Sequence, residues 1–392
     1  MLPSLICALL VDDIGPANPV EDDLSVSLEM VSHEPARGSS RRSDSVDALS
    51  WSFPPPVGAL SSPISSSKSL YNSAFLSQLT PRGFVWLVSV FSSISGLLFG
   101  LDVGIISGAL LFMEDTFHLT SFQSETVVSI VLVGSFLGSM VGGWLSDKIG
   151  RWMTILVATV AYLIGALLMA FSVTSTLAMI YIGRFTIGFA IGLSTLTVTL
   201  YLAEVAPASH RGAIVSVNEV AIVTGIFLSF FLNWALSGAG NERAWRLAFG
   251  VTAIPAALQI LGLFFLPYSP RWLVTKGRNT EAIQILLRTR NIDDAEAEFK
   301  ELQDSIQIEE NRTLKQLATE LLSPAMRWPL SIAVLLTFFQ QASGQPTVLL
   351  YSSKIIKLTG IFPTTSTTLL ASLIPGSVKL VLTIVSCTYL CH

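Results

Sequence analysis

Eight apolar stretches, each long enough to cross a lipid bilayer, dominate this 392-residue chain; they cover 84–113, 126–146, 153–172, 176–203, 213–236, 247–266, 329–352 and 367–390. At about 1.5 Å of rise per residue, roughly 20 helical residues cross a hydrocarbon core of about 30 Å. The placement of charge agrees. Asp, Glu, Lys and Arg make up 13% of the chain, about half of the roughly 25% usual in soluble domains. Residues 1–83 hold 14 of these charges and 271–327 hold 19, which leaves 17 for the other 252 positions. A water-soluble surface cannot be covered with so little charge. The chain therefore reads as an all-α, polytopic membrane protein in contact with the lipid bilayer, and an ordinary globular enzyme is excluded.

Other classes find no residues to support them. The three cysteines (Cys7, Cys387, Cys391) and four histidines (His33, His118, His210, His392) show no metal-ligand spacing, so no metal and no cofactor is expected. No phosphate-binding loop and no nucleophile–base pair appears, and the reading is not an enzyme. The net charge of −4 averages two solvated segments and gives no reason to expect nucleic acid. Intramembrane charges occur singly rather than in rings, which disfavours an ion channel. The glycine-rich stretches 96–110 and 182–194 have spacings that suit close helix packing.

Residues 1–83 form a segment of their own. The stretch 31–70 is dominated by Ser, Pro and charge, and a disordered cytosolic tail is expected. The opening apolar run lacks a basic flank and meets Asp12 and Asp13 at once, so it does not read as a signal peptide. Residues 84–266 make a six-helix bundle, 267–328 a charged loop with short amphipathic helices at the membrane surface, and 329–392 two further spans. With the N-terminus in the cytosol, the inside segments carry 17 Lys and Arg against 4 outside. A multi-pass protein of the cell membrane is expected, with endomembranes as the alternative. The sequon Asn311-Arg312-Thr313 then lies inside and is not glycosylated.

Between the second and third stretches stands Gly143-Trp-Leu-Ser-Asp147-Lys-Ile-Gly150-Arg151. Glycines let two helices turn tightly, and Asp147 and Arg151 place opposite charges at the membrane edge. The bland alternative is a charged turn. Further along come Gly183-Arg184, then Tyr201-Leu-Ala-Glu204-Val-Ala-Pro207-Ala-Ser-His-Arg211-Gly212, Trp245-Arg246, Pro267-Tyr-Ser-Pro270-Arg271 and Gln340-Gln341-Ala-Ser-Gly344. Together these motifs resemble the sugar-porter branch of the major facilitator superfamily, over roughly 84–390. Asn218-Glu219 and Gly344-Gln345-Pro346 look most like the facilitated glucose transporters of solute carrier family 2.

The resemblance implies the superfamily fold: a complete N-terminal six-helix bundle plus two helices of the C-terminal bundle. It also implies alternating access for a hexose, facilitative or proton-coupled. Carried over, Asp147, Arg151, Glu204, Arg211 and Arg271 would form a charge network that shuts the cytosolic side. Trp152 stands where a second basic residue is usual, and Tyr268 where the motif has Glu.

Four ionisable residues fall inside spans: Asp102, Arg184, Glu219 and Lys379. Each costs at least about 2.5–3.5 kcal/mol there, so each calls for a partner or a function. Asp102 and Arg184 come within roughly one helical turn of the same depth, which suggests an ion pair. The resemblance makes Asp102 the proton-coupling candidate; a static pair pinning two helices is the alternative.

Gln340 and Gln341 fall near the middle of the seventh span, and an amide pair offers donors and acceptors together, as sugar hydroxyls do. Polar bridging of packed helices is the other reading. Gly344-Gln345-Pro346 then interrupts the helix. The resemblance implies that Gln340 and Gln341 contact the hexose, with Glu219, Gln345 and Thr347 beside them. Glu219 occupies a position where many relatives have Gln, and Thr347 one where close relatives have Asn.

The resemblance also implies four more spans beyond Cys391-His392. The chain is thus expected to be incomplete, as a fragment, truncated isoform or unfinished gene model, and not to transport alone. The alternative is a truncated, non-transporting membrane protein that associates with a full-length relative.

Overall fold

A computed structural model describes residues 81–172, 177–310, 319 and 323–390. The expected tail (1–80 of it), the sequon and the chain end at 391–392 lie outside the described residues. Every regular element among the described residues is helical.

Five long helices come first: α1 (Pro81–Phe117), α2 (Ser121–Ile149), α3 (Arg151–Ala170), α4 (Leu177–Val205) and α5 (Arg211–Ala235). The sixth span is two successive pieces, α6 (Asn241–Val251) and α7 (Ala253–Leu263). Pro255 has no N–H to give the carbonyl four residues back, which accounts for the interruption at Thr252. The charged loop holds α8 (Pro270–Thr275), α9 (Asn279–Thr289) and α10 (Ile292–Glu310). Beyond it come α11 (Pro324–Ala342), α12 (Gln345–Leu350), α13 (Ser352–Leu358), α14 (Thr365–Ala371) and α15 (Leu373–Leu390).

Seven helical segments among the described residues are long and apolar enough to cross a membrane, where the sequence predicts eight spans. The difference is the stretch 329–352. Gly344, at φ +69°, leaves the helix there in the left-handed region, and a new helix starts at Gln345 with Pro346 in its first turn. That span exists as a broken helix, α11 followed by α12 and α13, rather than as one rod.

Helix ends are set locally. Thr120 and Gln123 exchange side-chain and backbone hydrogen bonds in a capping box at the start of α2. Gly150, at φ +93°, turns the chain from α2 into α3 with no intervening loop. It marks the end of the bundle that also carries α8–α10, here termed the basic end.

Packing inverts the pattern of a water-soluble bundle. α2 turns Gly134, Gly138 and Gly142 inward and exposes Leu132, Val133, Phe136 and Met140, an apolar face that fits lipid. The closest helix pairs are α1 with α5, α2 with α4, and α3 with α4. Small residues let these backbones touch. A Cβ at Gly100 would lie 1.9 Å from the Ile222 carbonyl oxygen, and one at Gly188 2.2 Å from that of Val131. α15 lies along α5, and α12 and α13 pack on α1.

Candidate functional site

The centre of the bundle holds a buried charge pair. Arg184 of α4 donates from Nη1 to Oδ1 of Asp102 on α1, and both side chains are closed to solvent. Arg184 Nε also donates to the Val127 carbonyl of α2 at 3.2 Å, and its guanidinium lies 5.8 Å from the centre of the Phe249 ring of α6. Tyr162 of α3 donates to the Leu98 carbonyl one turn from Asp102, at 3.0 Å. One ion pair therefore draws on five helices. In low dielectric an unpartnered charge at either position would be costly, so each side chain needs the other as its partner.

Nearer the basic end, Gln259 of α7 donates to Ser95 of α1. Both line a cavity of about 10 Å³ with Thr159, Tyr162 and Ser194, which is room for one water. Sequence reading passed over Gln259. The signal was present, since a lone amide in an apolar span invites the same reasoning as Gln340.

At the basic end, Arg151 joins three elements. Its Nη1 lies 3.1 Å from Asp147 Oδ1 and donates to the Ser146 carbonyl at 3.2 Å; its Nη2 lies 3.0 Å from Glu204 Oε1 of α4. Ser269, at the start of α8, donates its hydroxyl to Glu204 Oε2. Arg271 adds its positive charge to the field at Glu204. Asp147, Arg151, Glu204 and Arg271 are thus brought together. Arg211 is not: it starts α5, and no ion pair forms there among the described residues. A turn at Pro207 and a 3-10 turn (Ala208–His210) separate it from Glu204 along the chain.

Arg290, which the sequence reading did not single out, fastens the loop helices to this end. It forms a bidentate pair with Glu298 and donates to the Val205 and Ala206 carbonyls at 3.2 and 3.1 Å. Those carbonyls close α4, where the helix dipole favours a cation. Arg288 adds a contact 4.6 Å from the Phe84 ring of α1. Neither Arg stands out in an amphipathic pattern.

Four of the five sugar-contact candidates flank the break between α11 and α12 along the chain. Gln341 and Thr347 are exposed, while Gln340 and Gln345 are half-buried. Glu219 is half-buried on α5 and within electrostatic reach of Lys379 on α15. At the opposite end from α8–α10, the broken span is tied to α1. Ser353 is bonded to Ser107 through both its N–H and its hydroxyl, at 3.0 and 3.1 Å, and Lys354 pairs with Glu114. A cavity of about 540 Å³ there is lined by Glu125, Ser129, Tyr351 and Lys354.

Comparison with known proteins gives this arrangement a context. The family described as "Sugar (and other) transporter" matches residues 88–391. Solute carrier family 2, facilitated glucose transporter member 12 of Mus musculus is 38% identical over 304 residues, which is 78% of this chain and 48% of that protein. The arabinose-proton symporter of Escherichia coli (strain K12) is 34% identical over 307 residues, 76% of this chain and 63% of the symporter. Among solved structures, the major facilitator superfamily proton:xylose symporter XylE bound to 6-bromo-6-deoxy-D-glucose superimposes with a TM-score of 0.70. It shares 26% identity, over 78% of this chain and 69% of that one. The chain spans about half the length of the curated relatives it matches.

Proposed function

The chain belongs to the sugar transporter family of the major facilitator superfamily, and on that premise we propose that it serves hexose transport by alternating access. One observation carries the proposal. Gln340, half-buried, and Gln341, exposed, stand just before the point where the helical span breaks at Gly344. Exposed amides at that depth are tolerated only where they line a polar cavity, and a sugar supplies the hydrogen bonds they lack. Gln345 and Thr347 follow directly on the break, and Glu219 of α5 is assigned as a further sugar contact.

In this reading the basic end faces the cytosol, as the distribution of Lys and Arg requires, and the chain resides in the cell membrane. Asp147, Arg151, Glu204 and Arg271 form the inner gate. Ion pairs of this kind bias two packed states that differ by a few kcal/mol, and each bond must break when the helices part. Asp102 is the group through which a proton would couple, because its one ion-pair partner among the described residues is Arg184. Protonating Asp102 would release that arginine and change the packing of α1 on α4.

The test is uptake of labelled D-glucose by the gene's product in a host stripped of its own hexose carriers. Saturable uptake that falls sharply with Gln341→Ala supports the reading. Uptake equal to the empty host, with the protein present at the cell surface, would overturn it.

A further inference from the structure

An aromatic cluster sits beside the inner charge network. Trp152, in the first turn of α3, packs on Tyr268 with ring centroids 5.6 Å apart, and Tyr268 stacks on Trp272 of α8 at 5.9 Å with planes 24° apart. Phe264 meets Trp152 edge-on at 6.4 Å. Both indoles are anchored: Trp152 Nε1 donates to the Leu263 carbonyl at 2.6 Å, and Trp272 Nε1 to that of Asp147 at 3.2 Å. Arg278 lies 5.6 Å from the Tyr268 ring centre and Lys276 5.8 Å from that of Trp272.

The cluster touches the network at two points. Asp147, whose carbonyl holds Trp272, is ion-paired with Arg151. Ser269, next to Tyr268, donates to Glu204. Gly150 leaves the space that the Trp272 ring occupies, since a Cβ there would come within 2.9 Å of the indole. The two positions at which the motif departs from its usual charged residues, Trp152 and Tyr268, are therefore in contact with each other.

We propose that Trp152, Tyr268 and Trp272 act as an aromatic latch, positioning residues that hold α8 against the α2–α3 turn so that the inner gate stays shut independently of ionic strength. A surface ion pair between these positions would weaken as the Debye length falls with added salt. Ring–ring contact and burial have no such dependence. Of the two ion pairs on Arg151, the one with Glu204 has side chains only 10% and 6% exposed and is screened little, whereas the one with Asp147, 74% exposed, is the part that salt weakens and the rings must back up. The proposal rests on reading Asp147, Arg151 and Glu204 as a gate.

Hydrogen exchange at the backbone amides of α8 in the purified chain, at roughly 0.05 M and 1 M NaCl, tests it. The native protein is expected to keep its protection within about twofold between the two salt levels, and Tyr268→Phe to match it. Tyr268→Ala should speed exchange about fivefold or more at both. Paired Trp152→Arg and Tyr268→Glu should protect α8 at low salt and lose that protection at high salt. Native protection that collapses at 1 M salt, or Tyr268→Ala that leaves exchange unchanged, would overturn the proposal. If the charged pair fails to fold, the native, Phe and Ala proteins still decide it. A chain that moved no sugar would alter none of these readouts, so the latch and the transport reading fail separately.

Discussion

Arg184 and Asp102, 82 residues apart, meet in an ion pair that is closed to water and shared among the helices of one bundle. Breaking such a pair from one side strands a buried charge, at a cost of about 3–5 kcal/mol. Asp102→Asn and Arg184→Gln should each lower the thermal midpoint of the detergent-solubilised protein by several degrees. The double substitution should recover most of the loss, because neither charge remains. Equal and additive losses in a double-mutant cycle would show that the two residues stabilise the bundle independently.

The same residue decides the coupling mode. If Asp102 carries a proton, uptake by the native gene product rises as the outside is made more acidic, and Asp102→Asn flattens that profile. An identical pH profile in native and Asn proteins removes Asp102 from any proton route.

The glycine contacts between helices should tolerate no side chain. Gly100→Val and Gly188→Val place carbon against the carbonyl oxygens of Ile222 and Val131, and backbone cannot yield as a side-chain tip can. Both variants should lose the monodisperse peak in size-exclusion chromatography. Gly212→Ala, where nothing lies within 4 Å, should behave as native or gain roughly 0.5–1 kcal/mol from reduced chain freedom. A well-behaved Gly100→Val protein would contradict the close packing of α1 on α5.

Arg290→Ala should loosen the loop helices. It removes the cation at the end of α4 and leaves Glu298 without its bidentate partner, together worth about 1.5–3 kcal/mol. Hydrogen exchange in α9 and α10 should accelerate at least tenfold, the equivalent of about 1.4 kcal/mol. Arg290→Lys should not rescue it, because one ammonium cannot reproduce the planar fork.

Much of this architecture is legible before any coordinates, and for a simple reason. Lipid demands about 20 apolar residues per crossing and a partner for each charge, so both the spans and the meeting of Asp102 with Arg184 can be read from positions along the chain. The break at Gly344 is equally visible, since Gly and Pro two residues apart leave a helix little choice. What position cannot reveal is which way a side chain turns once helices pack. Arg211 shares the motif of Glu204 yet stands apart from it, because a 3-10 turn intervenes. Trp152 and Tyr268 look like two separate losses of charge until the fold puts their rings in contact. Arg290 is one basic residue among many in a solvated loop, and only docking onto α4 distinguishes it.

The central claim is that a sugar passes between Gln340, Gln341 and the facing helices by alternating access. Counterflow tests it most directly: proteoliposomes of the gene's product are preloaded with unlabelled D-glucose and given a trace of labelled glucose outside. A transient accumulation of label above equilibrium is expected, abolished when Gln340 and Gln341 are both replaced by Ala. Label that rises only to equilibrium in the native protein, or an overshoot that survives the double substitution, would contradict it.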